Sequence, residues 1–255
     1  MLAVYDRRVG HTSRGFRWWV LGLSACGRLG FDAPGVSPSD ALATGDAVSA
    51  PPGAIAWYRF DDDPSDGVLD SSGNGHHGNC AMCPALVEDG REGSAYHFSG
   101  QLIRVPYVDA LTPENGVTAS AWLRLEAAPA ARVCLGGKLF ASAYENSWGV
   151  CVDPGLSVVF YSARPNDELT SPDGILAIAR WHHVAITWDG AVKRVWIDGT
   201  ERASTSSVMS NDDGDVLLGG DEDSGLPGFF VTGALDEVRL YDRALDAAEI
   251  AALAQ

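Results

Sequence analysis

The 255-residue sequence predicts an all-β domain, two antiparallel sheets packed face to face as a sandwich, with a short C-terminal helix. Three observations carry this reading. Apolar and polar residues alternate in short runs, turn dipeptides recur between the runs, and only the last residues repeat apolar positions at helical spacing. A sheet that is apolar on one face must cover it with another layer, and with many strands and one small helix that layer is a second sheet.

The elements follow in order from Ile55, where the β signal begins. Between Val117 and Leu125 every odd position is apolar, with Thr118, Ser120, Trp122 and Arg124 between them; this period of two marks a half-buried strand. Val184, Ile186 and Trp188 repeat the pattern. Asp189-Gly190 then precedes Val195-Trp196-Ile197, and Asp198-Gly199 follows, which reads as strand, tight turn, strand, turn. Val216–Leu218 and Phe229–Val231 are expected as further strands. In the last strand the apolar positions are odd through Val231 and Leu235 and even at Val238 and Leu240. A phase change of one residue is what a β-bulge produces, so a bulge is expected at Asp236-Glu237. Asp246 and Glu249 then have capping-box spacing, and Leu245, Ile250 and Leu253 can share one face of the closing helix.

With 46% hydrophobic and 20% charged residues the chain is neither disordered throughout nor collagenous. Its formal net charge of -16 opposes phosphate backbones, so nucleic acid is excluded as a partner. Residues 1–25 hold Arg7, Arg8, Arg14 and Arg17 against Asp6 alone, and these arginines precede the apolar stretch Trp18–Leu23. That stretch is too short to span a bilayer and reads as an export signal over residues 1–25. Leu23-Ser24-Ala25-Cys26 resembles the bacterial lipobox, which implies lipidation at Cys26 and membrane contact through that anchor alone. Gly27 in the next position implies sorting to the outer membrane. Residues 26–53, rich in Pro, Ala, Ser and Gly, are expected to be a flexible tether, and residues 54–255 the folded domain.

An exported chain meets an oxidising compartment, and setting Cys26 aside leaves an even set of four cysteines. Proximity pairs Cys80 with Cys83, and Cys134 with Cys151 across a hairpin. No second cysteine or histidine pair completes a zinc site with Cys80-x-x-Cys83.

Several blocks then appear in a telling order: Ile55–Phe60 with Asp61-Asp62-Asp63, Asp70-Ser-Ser-Gly-Asn-Gly-His-His-Gly78, His97–Gly100, Thr118–Leu123, Trp181–Gly190 and Gly233–Leu245. Together they resemble laminin G-like domains of the concanavalin A-like lectin/glucanase superfamily. The resemblance implies a jelly-roll sandwich, often one structural calcium, and binding of carbohydrate or another extracellular ligand.

Calcium needs six to eight oxygens, which the turn from Asp70 to Gly75 could supply in part. The expected bulge would re-aim Asp236, and the resemblance implies that this edge also gathers the acidic end of the first strand. Asp61, Asp70 and Asp236 are therefore the expected carboxylate ligands, with Asn74 and His76 as carbonyl donors. The acidic stretches Asp212–Asp215 and Asp221–Asp223 read as solvated loops, since position twelve from Asp221 is Thr232 where an EF-hand needs an acid. His182 and His183 are neighbours on a strand, point to opposite faces and cannot share one centre.

Catalysis is not expected. Glycosidases with this sandwich place two glutamates on one strand at Glu-x-Asp-x-x-Glu spacing, which is absent here, as are Gly-x-Ser-x-Gly and His-Glu-x-x-His. Sugar binding would use aromatic faces beside polar loops, and Trp122, Tyr144, Trp148, Tyr161 and Trp196 are the candidates. The expected function is thus a non-catalytic, calcium-stabilised, surface-anchored binder of carbohydrate or another extracellular polymer. A protein-adhesion module without sugar specificity is the alternative, and a glycoside hydrolase the least favoured.

Overall fold

A computed structural model of the chain describes residues 52–139, 146–163, 166–210, 212–223 and 225–255, all within one compact unit. The expected export signal, Cys26 and most of the expected tether lie outside these residues, as does Tyr144. In chain order the strands are β1 (Ala54–Tyr58), β2 (Ala85–Val87), β3 (Ala95–Ser99), β4 (Ile103–Val105), β5 (Val117–Leu125), β6 (Val133–Leu139), β7 (Asn146–Val152) and β8 (Val158–Ala163). They continue with β9 (Asn166–Thr170), β10 (His182–Trp188), β11 (Val192–Ile197), β12 (Thr200–Ser206), β13 (Val216–Leu218), β14 (Asp221–Asp223), β15 (Leu226–Gly228) and β16 (Thr232–Tyr241). Helix α1 (Ala247–Leu253) closes the chain.

Two antiparallel sheets form the expected sandwich. One runs β12-β11-β10-β5-β16-β3-β2, with β1 also paired to β16, and the other runs β4-β13-β6-β7-β8-β9. Their facing side chains make the main core, in which Ala121, Leu123, Val184 and Ile186 of the larger sheet meet Trp148, Val150, Val158 and Phe160 of the smaller. The odd phase of β5 faces this core, as its alternation predicts.

The even phase of β5 is buried as well, because β5 is central and its outer face is covered in turn. Thr118 Oγ1 donates to the Arg243 carbonyl and accepts from Leu245 N–H, which ties the segment before α1 onto that face. Trp196, Tyr241, Leu245 and Ile250 pack together there. The helix begins with the expected capping box: Asp246 accepts from Ala248 and Glu249 N–H, and Glu249 accepts from Asp246 N–H.

The bulge lies where the phase change placed it. Pairing of β16 with β5 slips between Asp236 and Arg239, and Glu237 sits at φ 52°. Two local expectations are corrected. Phe229–Val231 is no strand but a single parallel bridge from Phe230 to Cys134, and Asp221–Asp223 is no loop but half of the β14–β15 ribbon.

Candidate functional site

Both expected disulfides are present, Cys80–Cys83 and Cys134–Cys151. The second joins residues directly opposite each other on β6 and β7. Its sulfurs lie on the outer face of the smaller sheet, packed with Val159 and Tyr161, because Leu135 and Val150 beside them face the core.

The five residues expected to hold calcium fall into two groups. Asp70, Asn74 and His76 share one turn, and Asp61 and Asp236 flank the segment 91–94. Asp70 Oδ1 accepts from Trp57 and Ser72 N–H at 2.9 Å each, and Oδ2 accepts from the Ser72 hydroxyl at 2.8 Å and His76 N–H at 2.9 Å. Burial alone would raise its pKa, but these donors outweigh burial and hold it below the ordinary value. Asn74 donates through its amide to the carbonyls of Ala54 and Ile55, and the His76 carbonyl accepts from Tyr58 Oη.

Asp61 accepts from Ser94 N–H and pairs with Arg59, while Asp236 Oδ2 accepts from Arg91 and Glu92 N–H. Asp236 Oδ1 is buried without a hydrogen-bond partner. Among the described residues no three His, Cys, Asp or Glu side chains converge as a metal would require. Apart from Asp236 Oδ1, the carboxylate oxygens described above accept from N–H groups, a hydroxyl or a guanidinium. In this structure the Asp70 turn is a hydrogen-bonded clasp onto β1.

Three of the aromatic candidates are occupied elsewhere. Trp148 lies between the sheets, 3% exposed, because its strand phase faces the core. Trp196 is covered by α1 and donates to Thr187 Oγ1. Trp122 is buried on the outer face of the larger sheet, with the Arg91 guanidinium 4.3 Å from its ring centre and the His183 ring edge-on at 5.5 Å. Burial, with Arg239 nearby, pushes the His183 imidazole down to about 3, so it is neutral and structural. His182 accepts from Ala177 N–H at Nε2, which leaves Nδ1 to donate to Asp198.

Among the described candidates, Tyr161 lines a surface cleft. The cleft, of about 240 Å³ on the outer face of the smaller sheet, is floored by the Cys134–Cys151 disulfide and walled by Arg132, Phe229 and the acidic ribbon Asp221-Glu222-Asp223. Arg132 is fixed by two carboxylates at once: Nε donates to Asp153 at 2.7 Å and Nη1 to Glu168 at 2.5 Å. Its hydrogen bonds to Glu168 and Asp153 raise the arginine's pKa further, so it is a permanent cation with a locked plane. Arg104 braces the ribbon from behind through Glu222 at 2.6 Å and Asp215 at 2.9 Å. The arrangement sets an aromatic side chain among fixed polar groups. Sequence reasoning found Tyr161 but missed Arg132 and Phe229; alternation reaches neither, since Arg132 precedes its strand and Phe229 lies outside one.

Residues 98–251 match the family model of the laminin G type described as the concanavalin A-like lectin/glucanases superfamily. No curated protein sequence matches the chain. Among solved structures, domain 4 of AbnA, an extracellular arabinanase from Geobacillus stearothermophilus in complex with arabinotriose, is 23% identical with a TM-score of 0.60, over 80% of this chain and 98% of that one. The binding domain of Paraclostridial Mosquitocidal Protein 1 is 16% identical with a TM-score of 0.62, over 79% of this chain and 51% of that one. Trypanosoma rangeli sialidase in complex with sialic acid is 18% identical with a TM-score of 0.62, over 79% of this chain but 32% of that one. These likenesses establish a shared fold.

Proposed function

The chain belongs to the concanavalin A-like lectin/glucanases superfamily, and from that premise we propose that its folded domain is a non-catalytic carbohydrate-binding module, with the ligand seated over Tyr161 on the outer face of the smaller sheet. One observation carries the reading: an aromatic ring in a cleft whose arginine and carboxylates are held rigid by one another. A sugar presents C–H groups on one face and hydroxyls at its rim, and binding is efficient when both kinds of partner are preorganised. The arabinotriose complex of a domain with this fold supports the same reading.

A binding rather than hydrolytic role is supported by three carboxylates in and around the cleft. Asp153, Glu168 and Glu222 are each engaged by an arginine, which favours the ionised form over the protonated acid of glycoside hydrolysis. The two disulfides, with the export signal and Cys26 in the sequence, support a module displayed outside the cytoplasm on a lipid anchor. A protein-adhesion role is the second reading, favoured by Leu226 and Phe229, which stand 71% and 42% exposed beside the cleft.

The test is affinity for a glycan panel, followed by Tyr161→Ala on whichever glycan binds. Loss of the Tyr161 ring is expected to weaken binding about tenfold or more while leaving the thermal midpoint nearly unchanged. Full affinity in Tyr161→Ala would place the site elsewhere.

A further inference from the structure

Arg132 is held by nearly every donor it has. A guanidinium carries five N–H groups in a fixed plane, and four of these are engaged. Nε and Nη2 donate to the two oxygens of Asp153 at 2.7 and 3.1 Å, and Nη1 and Nη2 donate to the two oxygens of Glu168 at 2.5 and 3.1 Å. Both edges of the group that grip a carboxylate through two parallel bonds are therefore occupied. The second hydrogen of Nη1 is the remaining donor, and it has no partner among the described residues.

The two clamps come from separate elements of the smaller sheet. Asp153 opens the turn between β7 and β8, where its N–H donates to the Ser157 carbonyl and its carbonyl accepts from Leu156 N–H. Glu168 lies on the edge strand β9, directly opposite Tyr161 of β8. Opposed residues of an antiparallel pair project from the same face, so Glu168 carries its half of the clamp to the face that Tyr161 occupies. Arg132, just ahead of β6, reaches both carboxylates, lines the same cleft as Tyr161 and keeps 29% of its side chain exposed.

This holding has a consequence for recognition. An arginine in solution loses side-chain freedom when it bonds a ligand, whereas Arg132 has already lost it on folding. Its last N–H is thus a preorganised donor with a set direction. It matches one oxygen, since the paired donors that suit two parallel oxygens are taken.

We propose that Arg132 is the specificity-determining residue of the cleft: its one remaining N–H donates to a single oxygen of the ligand, a sugar hydroxyl or ring oxygen, with Asp153 and Glu168 as positioning residues that act through it. This rests on the carbohydrate reading above and adds to it the atom that reads the sugar.

The test uses the full chain, guanidinium NMR of Arg132, and four neutral probes: arabinohexaose, xylohexaose, cellohexaose and N-acetylchitohexaose. A probe that binds is expected to move the remaining Nη1 proton and to leave the four bonded N–H signals nearly in place. Glu168→Gln should free one edge, let the guanidinium turn so that its Nη signals average, and weaken the same probe about threefold or more. Arg132→Met should weaken it about tenfold. Because that change strands two carboxylates, it is paired with the triple variant Arg132→Met, Asp153→Asn, Glu168→Gln, in which no charge is left alone and the same loss is expected. A bound probe that leaves the Nη1 proton unmoved, or full affinity in any of the three variants, would overturn this inference alone. Binding of no probe would overturn it together with the carbohydrate reading.

Discussion

Asp236 shows at a single residue how the fold uses a carboxyl group against its nature. Burial, with the adjacent Glu237 assisting, raises it from 3.8 to about 7 despite the N–H groups of Glu92 and Arg91. Because the folded chain then holds this proton more tightly than the unfolded chain, its contribution to stability is complete below about pH 4 and is lost as pH rises through 7. The thermal midpoint should fall between pH 5 and 8 more steeply in the native chain than in Asp236→Asn; parallel profiles would show that Asp236 is not the group responsible. Asp70 has the opposite sign. Its lowered pKa means that its contribution is present above the ordinary carboxylate range and lost as pH falls through the folded value. Asp70→Ala strands two N–H groups of the β1 clasp and a third at His76, and should cost about 2–4 kcal/mol in urea unfolding. That cost should be the same with calcium and with chelator, and a loss seen only in calcium would restore a metal role to the turn. The sequence made Asp70 conspicuous without deciding between these roles, since Asp, Ser, Gly and Asn in a turn serve hydrogen bonds and cations alike.

At the level of elements, what alternation can and cannot reveal becomes clear. It located β5 and the capped helix, and the phase change at Leu235 and Val238 located the bulge. It could not tell which faces are covered. Trp122 and Trp196 sit on the outer phase of their strands, but that phase is buried beneath other parts of the chain, so neither is a platform. Phe229 was illegible for a different reason, because its outward aim depends on a positive φ set by a hydrogen bond from a strand far away in sequence. Lys193 is a further case, a charged residue on the core phase of β11. Its ammonium reaches across to β8 and β9 of the other sheet, pairing with Asp167 and donating to Ser162 Oγ at 2.7 Å, while Asp167 also accepts from Ser207. Burial pushes the Lys193 pKa down, and Asp167 opposes that shift. Removing one partner strands a buried charge, so Asp167→Asn should cost about 3 kcal/mol, while adding Lys193→Met should recover most of it. A double variant no more stable than Asp167→Asn would show that Lys193 contributes through packing rather than charge.

For the whole molecule, the two sheets divide the work. The larger one carries the Asp70 clasp, the bulge and α1, all of them internal ties. The smaller one leaves its outer face to the disulfide, Tyr161, Arg132 and Phe229. The excess of acidic residues, visible from composition, is partly gathered beside that face, in Asp221, Glu222 and Asp223. Which sheet meets the ligand is therefore the central claim, and amide chemical-shift mapping during titration with the tightest-binding oligosaccharide tests it most directly. The account predicts shifts concentrated at Arg132, Cys134, Tyr161 and Phe229, with the larger sheet's outer face unmoved. Shifts centred instead on Trp57, Trp122 and His183 would contradict it.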